Sequence, residues 1–314
     1  MSTLTADHAT LYAEAPALPR DHREDIASRL VRAAAKRSFD PAVDIEWPQA
    51  IGDDRYFIPE HRVSLYGSAL WERLTLEQRI ALSRHEVASM AQAGVWFELI
   101  LGQLLIRFVY DEDYTSQHTR WALTEIADEC RHSSMFARLV DLLVDGRHRP
   151  EQRTIFLGRL LKTLADPVEG FADILIAEEL LDRLQREMMV DDSLQPLTRD
   201  VARLHVIEEA RHVKFARDEL TRRAGRLTRR QRERVRMIVA ISAAVVADAL
   251  VVPSCYAAVG LDPVATKRIA RANPVRRESL RWMAERLTAY FDDIGIIGNG
   301  AARRIWTRAG LLAA

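Results

Sequence analysis

His205-Val-Ile-Glu-Glu-Ala-Arg-His212 is the stretch on which the reading of this chain turns. Glu209 and His212 are three residues apart, a spacing that puts both on one helix face, about one turn from each other. A carboxylate oxygen and an imidazole nitrogen so placed can bind one metal ion together. The pattern returns upstream in Asp128-Glu-Cys-Arg-His132, where Glu129 and His132 take the same places. Each motif has an acid directly before the Glu and an Arg directly before the His. One Glu-x-x-His is a weak signal, because most are solvated helix faces. Two with matching flanks form a constellation.

Each motif is preceded at equal distance by a glutamate in an apolar run. Glu98, in Val95-Trp-Phe-Glu-Leu-Ile-Leu101, stands 31 residues before Glu129. Glu178, in Asp173-Ile-Leu-Ile-Ala-Glu-Glu-Leu-Leu181, stands 31 residues before Glu209. A carboxylate on a core-facing helix surface is costly unless it is paired or metal-bound. One Glu from each of two helices and Glu-x-x-His from each of two others is the known inventory of a ferritin-like, carboxylate-bridged di-metal bundle. Glu179 rivals Glu178, and the equal spacing favours Glu178. Glu208 rivals Glu209, but only Glu209 has a His three residues on.

His205 precedes Glu209 by four residues and His212 by seven, so all three share a face. Spacing alone leaves it a third nitrogen ligand, a core histidine bonded to a carbonyl, or a group that holds a ligand in place. Asp128 and Glu208 are placed to accept the outer N–H of a ligand imidazole. By the near-symmetry of the motifs, Asp128 serves His212 and Glu208 serves His132. Arg131 and Arg211 then pair with those acids or lie in surface salt bridges. Cys130 sits about 100° around the helix from Glu129 and reads as a small packing residue. Oxygen and nitrogen donors without thiolate suit iron or manganese.

The rest of the chain constrains the class. It has 314 residues with 45 basic and 45 acidic side chains, which lacks the basic excess of a nucleic-acid binder. Only Cys130 and Cys255 are present, so no disulfide framework is available and a reducing compartment follows. Residues 1–25 carry no apolar core of signal type, and the expected location is the cytoplasm. Residues 237–260 are long and apolar enough to span a bilayer. Asp248 at their centre would cost about 2.5–3.5 kcal/mol on insertion scales, and Pro253 interrupts them. They read as a buried core helix, and no membrane is expected.

Helical periods and caps predict an all-α chain. Thr75-Leu-Glu-Gln78 is a capping box opening a helix to about 110. Ser116 caps the next, to about 145, with Gly146 placed to end it. Helices follow over about 150–164, 166–190 and 196–224, then from the capping box Thr228-Arg-Arg-Gln231 to about 252. An amphipathic helix near 276–290 and a short one after Gly298-Asn-Gly300 close the chain. One domain over 1–314 is expected: 1–74 wrapping, 75–225 the metal-binding bundle, and 226–314 additional helices.

With these motifs in place, residues 75–220 resemble the AurF-like p-aminobenzoate N-oxygenases, di-iron proteins grouped with chloramphenicol-type arylamine oxygenases. The extra histidine, His205, is the most discriminating part of the likeness. The resemblance implies a ligand set of Glu98, Glu129, His132, Glu178, His205, Glu209 and His212 holding two Fe ions, with Mn as a substitute. It also implies O2 as co-substrate and an aromatic amine oxidised through hydroxylamine and nitroso towards nitro. An external electron donor or reductase, a homodimer and a place in specialised metabolism complete what it implies. Substrate recognition does not carry over. Arg303 and Arg304 read as surface arginines, and Trp96 and Phe97 as core packing with a pocket wall as the alternative. The rival readings are a di-iron hydroxylase, desaturase or oxidative-cleavage enzyme, and a ferroxidase or iron store, which needs only about half this length. A bundle that holds metal for structure alone stands behind these.

Overall fold

A computed structural model describes residues 22–146 and 148–313. The expectations for the first 21 residues, a leader-free start and the beginning of the 1–74 wrapping segment, lie outside the described residues. Those described form α1 (His22–Lys36), α2 (Pro41–Asp44), α3 (Leu76–Tyr110), α4 (Gln117–Leu143), α5 (Gln152–Leu164), α6 (Pro167–Met188) and α7 (Pro196–Ala224). After these come α8 (Arg229–Ala249), α9 (Pro253–Ala257), α10 (Pro263–Ala272), α11 (Pro274–Asp293) and α12 (Ala301–Ala309), with no strand among the described residues.

The centre is a ferritin-like four-helix bundle of α3, α4, α6 and α7. Short links join α3 to α4 and α6 to α7, and each such pair packs along its length. The helix starts follow from local chemistry. Thr75 and Gln78 exchange side-chain hydrogen bonds with each other's N–H at 3.2 and 3.1 Å. Thr228 and Gln231 do the same at 3.4 and 3.0 Å. Ser116 Oγ accepts from Thr119 N at 3.1 Å. Each such cap stabilises its helix by about 1 kcal/mol. Pro167 and Pro196 open α6 and α7, where a missing N–H costs nothing.

Around this bundle, α1 lies against α4, burying Ile26, Ala27, Leu30 and Ala34. Helix α8 packs on α6 and α12, and α11 packs on α6. The structure differs from the sequence expectation at five places. Helix α1 lies in the 1–74 wrapping segment, where no helix is predicted, and α9 and α10 fill the stretch before Asn273. Asp262 caps α10 through Ala265 N at 2.6 Å. Helix α4 ends at Leu143 with Val144 extended, so Gly146, at φ 116°, belongs to the following turn and not to the cap. Helix α8 stops at Ala249, short of the expected end near 252, and Lys267 Nζ donates to the carbonyls of Asp248, at 2.8 Å, and Val251. Cys130, expected to pack, is exposed.

Two runs, Leu76–Tyr110 and Arg229–Ala257, are long and apolar enough to cross a membrane by length and composition. The first carries the buried acids Glu86 and Glu98 into the bundle. In the second, Asp248 is paired with Arg271 at 2.8 Å and Lys267 at 3.3 Å. An acid with two cations beside it explains how a carboxylate interrupts that apolar run.

Candidate metal centre

Glu98 comes from α3, Glu129 and His132 from α4, Glu178 from α6, and His205, Glu209 and His212 from α7. All seven side chains are buried. Four overlapping groups of them place their donor atoms within 4.8 Å of one another: Glu129, His132, Glu209 and His212; Glu98, His132 and His205; Glu178, His205 and Glu209; Glu98, Glu129 and Glu178. The fold thus brings together every residue that the two motifs and the two upstream glutamates single out.

The central geometry is reciprocal. Glu129 presents Oε2 to His132 Nδ1 at 3.1 Å and Oε1 to His212 Nδ1 at 2.9 Å. Glu209 presents Oε1 to His132 Nδ1 at 3.0 Å and Oε2 to His212 Nδ1 at 3.1 Å. Each carboxylate therefore spans both imidazoles. Separations of about 3 Å are what neighbouring ligands on one ion adopt when each bond is about 2.1 Å. On the far side of the rings, His132 Nε2 donates to Glu208 Oε2 at 2.9 Å and His212 Nε2 to Asp128 Oδ2 at 3.2 Å. Both Nδ1 atoms are thereby left facing the cluster. Arg131 donates to Asp128, and Arg211 Nη2 donates to Glu208 Oε1 at 3.4 Å and lies 3.7 Å from Asp128. Two arginines thus balance two buried acids.

His205 is held differently. Its Nδ1 lies 2.9 Å from Gln185 Oε1, while Nε2 faces Glu98 at 3.4 Å and Glu209 at 3.6 Å. Glu179 turns away and accepts from Arg217 Nε at 2.7 Å, which leaves Glu178 as the carboxylate of α6 in the cluster.

Electrostatics supply the test of fit to a metal pair. Burial pushes the Glu98 carboxyl well above its usual range, and Glu129 and Glu209 push the same way. Burial and Glu209, then Glu98 and Glu129, do the same to Glu178. Burial opposes charge on His132 and His212, yet the carboxylates around them raise both well above the ordinary value. Burial lowers His205 to about 4, which keeps it a neutral nitrogen donor. Four carboxylates within this space cannot all stay ionised without cations among them. Divalent cations held by these residues would supply that charge, and the oxygen-rich, thiolate-free donor set suits iron or manganese.

Three features were not read from the sequence. Glu125 stands one turn before Glu129, is fully buried, and has neither oxygen at hydrogen-bond geometry with a described residue. Its i, i+4 spacing to Glu129 was the available signal. Gln185 was missed because its partner is 20 residues away on the next helix. Asp173 and Glu169 on α6 are buried as well. A small cavity of about 60 Å³ touches Glu98, Glu178 and His205. A second, of about 330 Å³, lies between α3, α5, α6 and α8. Trp96 and Phe97 line the second one, so they form a pocket wall and not plain core. Arg303 and Arg304 lie on α12, outside the metal cluster, with Arg303 Nη1 3.7 Å from Asp292.

A family model described as "P-aminobenzoate N-oxygenase AurF" matches residues 20–295. Among curated relatives, the uncharacterised protein Rv0885 of Mycobacterium tuberculosis is 27% identical over 298 residues, covering 90% of this chain and 85% of that one. The uncharacterised protein Mb0909 of Mycobacterium bovis matches to the same extent. Among solved structures, an R2-like ligand-binding oxidase variant with an aerobically reconstituted Mn/Fe cofactor superposes with a TM-score of 0.42. The identity is 13%, over 92% of this chain and 90% of that one.

Proposed function

Because this chain belongs to the AurF family of p-aminobenzoate N-oxygenases, and is thus an oxidoreductase built around a pair of iron ions, we propose that it oxygenates the nitrogen of an aromatic amine. The residues proposed to hold the irons, or manganese in their place, are Glu98, Glu129, His132, Glu178, His205, Glu209 and His212. The observation that supports this most is the reciprocal span of Glu129 and Glu209 across His132 and His212. Two carboxylates each facing two imidazoles suit two metal ions sharing bridging oxygens.

The bound metal pair supplies O2 activation and redox capacity. The chain's own residues do the rest. Glu208 and Asp128 fix the His132 and His212 rings, Gln185 fixes His205, and the apolar helices exclude bulk water. Insertion of one oxygen atom into an N–H bond consumes O2, two electrons and two protons and releases water, so an external reductant is part of the reading. The proposed assembly is a homodimer working in the cytoplasm, in specialised metabolism.

The test is stopped-flow absorbance of the reduced, iron-loaded protein mixed with O2, with and without an arylamine, followed by mass spectrometry of the amine. A coloured species that decays faster with the amine, together with an amine gaining oxygen, supports the reading. Decay indifferent to arylamines would instead favour a di-iron hydroxylase, desaturase or oxidative-cleavage enzyme on another substrate. Assembly into a large iron-filled shell would favour storage.

A further inference from the structure

The cavity beside the metal centre and the cavity large enough for a substrate are two different spaces. The first, about 60 Å³, has room for no more than a few water molecules. The second, about 330 Å³, falls in the range of pockets that enclose small organic molecules. Phe97 and Ala177 line both, so the two spaces adjoin at these side chains.

The larger cavity is apolar but for one end. Its charged side chains, among the described residues, are Glu169, Asp173 and Arg234. Glu169 is 1% exposed and Asp173 8% exposed. Arg234, at the mouth, is already shared between Asp166 and Glu169, the latter at 2.9 Å. No described residue gives either oxygen of Asp173 a well-formed hydrogen bond, and its polar neighbour is Ser242. Acids therefore outnumber cations here, and the surplus acid is buried. Burial and nearby Glu169 hold the Asp173 carboxyl well above its usual range, with Ser242 pulling the other way. An anionic substrate group would meet this acid in a low-dielectric space. A cationic one would give it the partner it lacks.

We infer that the cavity between α3, α5, α6 and α8 holds the body of the substrate, and that Asp173, with Glu169 behind it, receives a positively charged nitrogen at its far end. The preferred substrate is then an apolar aromatic amine carrying a second, basic nitrogen in place of a carboxylate. This rests on the amine-oxygenase reading of the metal centre. Five residues of α6, about 7.5 Å along the axis, separate Asp173 from Glu178. A benzene ring with a nitrogen-bearing group at each end spans a comparable length.

The experiment is calorimetric titration of the iron-loaded protein without O2, using 4-aminobenzylamine, neutral 4-methylaniline and anionic p-aminobenzoate. The aminobenzylamine should bind about tenfold tighter than 4-methylaniline, and p-aminobenzoate weaker than either. Asp173→Asn should remove the tenfold preference and leave the iron content unchanged. If p-aminobenzoate binds tightest, Arg234 captures carboxylates and the inference falls. It falls equally if the preference survives Asp173→Asn, or if none of the three binds. The ranking on the unmodified protein decides even where the variant folds poorly. A protein that ranks the probes as stated but never oxidises a nitrogen would keep the chamber and lose the amine-oxygenase reading. One that oxidises p-aminobenzoate and ranks the probes in reverse would do the opposite.

Discussion

Glu208 Oε2 accepts the Nε2–H of His132 at 2.9 Å, tying the second Glu-x-x-His motif to the first across 76 residues of chain. Asp128 returns the contact to His212 at 3.2 Å. The acid before each motif's glutamate thus orients the histidine of the other motif. Glu208 also accepts from Phe39 N at 3.1 Å, so the same carboxylate anchors the segment after α1. Replacing Glu208 with Ala should weaken metal binding by about 10- to 100-fold, and Glu208→Gln by less. Competition with a chelator measures both, and equal affinity in all three proteins would show that the contact does not steer His132.

His205 depends on Gln185 in the same way. Gln185→Leu leaves Nδ1 without its partner at 2.9 Å and frees the ring to turn. The expected result is about tenfold weaker affinity at one metal position and an altered electron paramagnetic resonance signal of the mixed-valence centre. An unchanged spectrum would make His205 a packing residue.

Gly158 packs directly under Trp96: a Cβ there would stand 2.3 Å from the indole ring. Gly158→Ala should therefore push Trp96 into the larger cavity or lift α5. Arylamine binding should weaken and stability fall by about 1–3 kcal/mol, with iron content unchanged. Calorimetry and urea unfolding read the two effects separately.

Glu86 gives the fold a pH dependence away from the metal centre. Burial raises its carboxyl from 4.5 to about 7, against the lowering effect of hydrogen bonds from Ser64. The folded state holds this proton more tightly than the unfolded chain does. The contribution is fully present below about pH 4.5 and is lost as pH rises through about 7. Glu86→Gln should flatten that part of the profile, so its urea midpoint should change less between about pH 5 and about pH 8 than the parent's does. Parallel profiles would show that Glu86 stays ionised in the folded protein.

The metal cluster was legible because it is written twice with helical spacing, and because a glutamate in an apolar run needs a reason. The main helix starts were legible because Thr75, Ser116 and Thr228 carry their own cap chemistry. What stayed hidden depends on contacts distant in sequence. Gln185 and Asp173 look like ordinary polar residues of α6 until neighbouring helices enclose them. Helix α1 stayed hidden because its apolar face, Ile26, Ala27, Leu30 and Ala34, is short and gains its stability on α4. Cys130 reads as a packing residue from its small size, and 100° around the helix from Glu129 turns out to be the exposed face.

The most direct measurement is the iron content of protein loaded with ferrous iron without O2 and freed of excess metal, for the parent, Glu129→Ala and His212→Ala. The account predicts two irons per parent chain, fewer than two in each variant, and unchanged helical circular dichroism in all three. A parent chain that holds fewer than two irons, or a variant that still holds two, would contradict it.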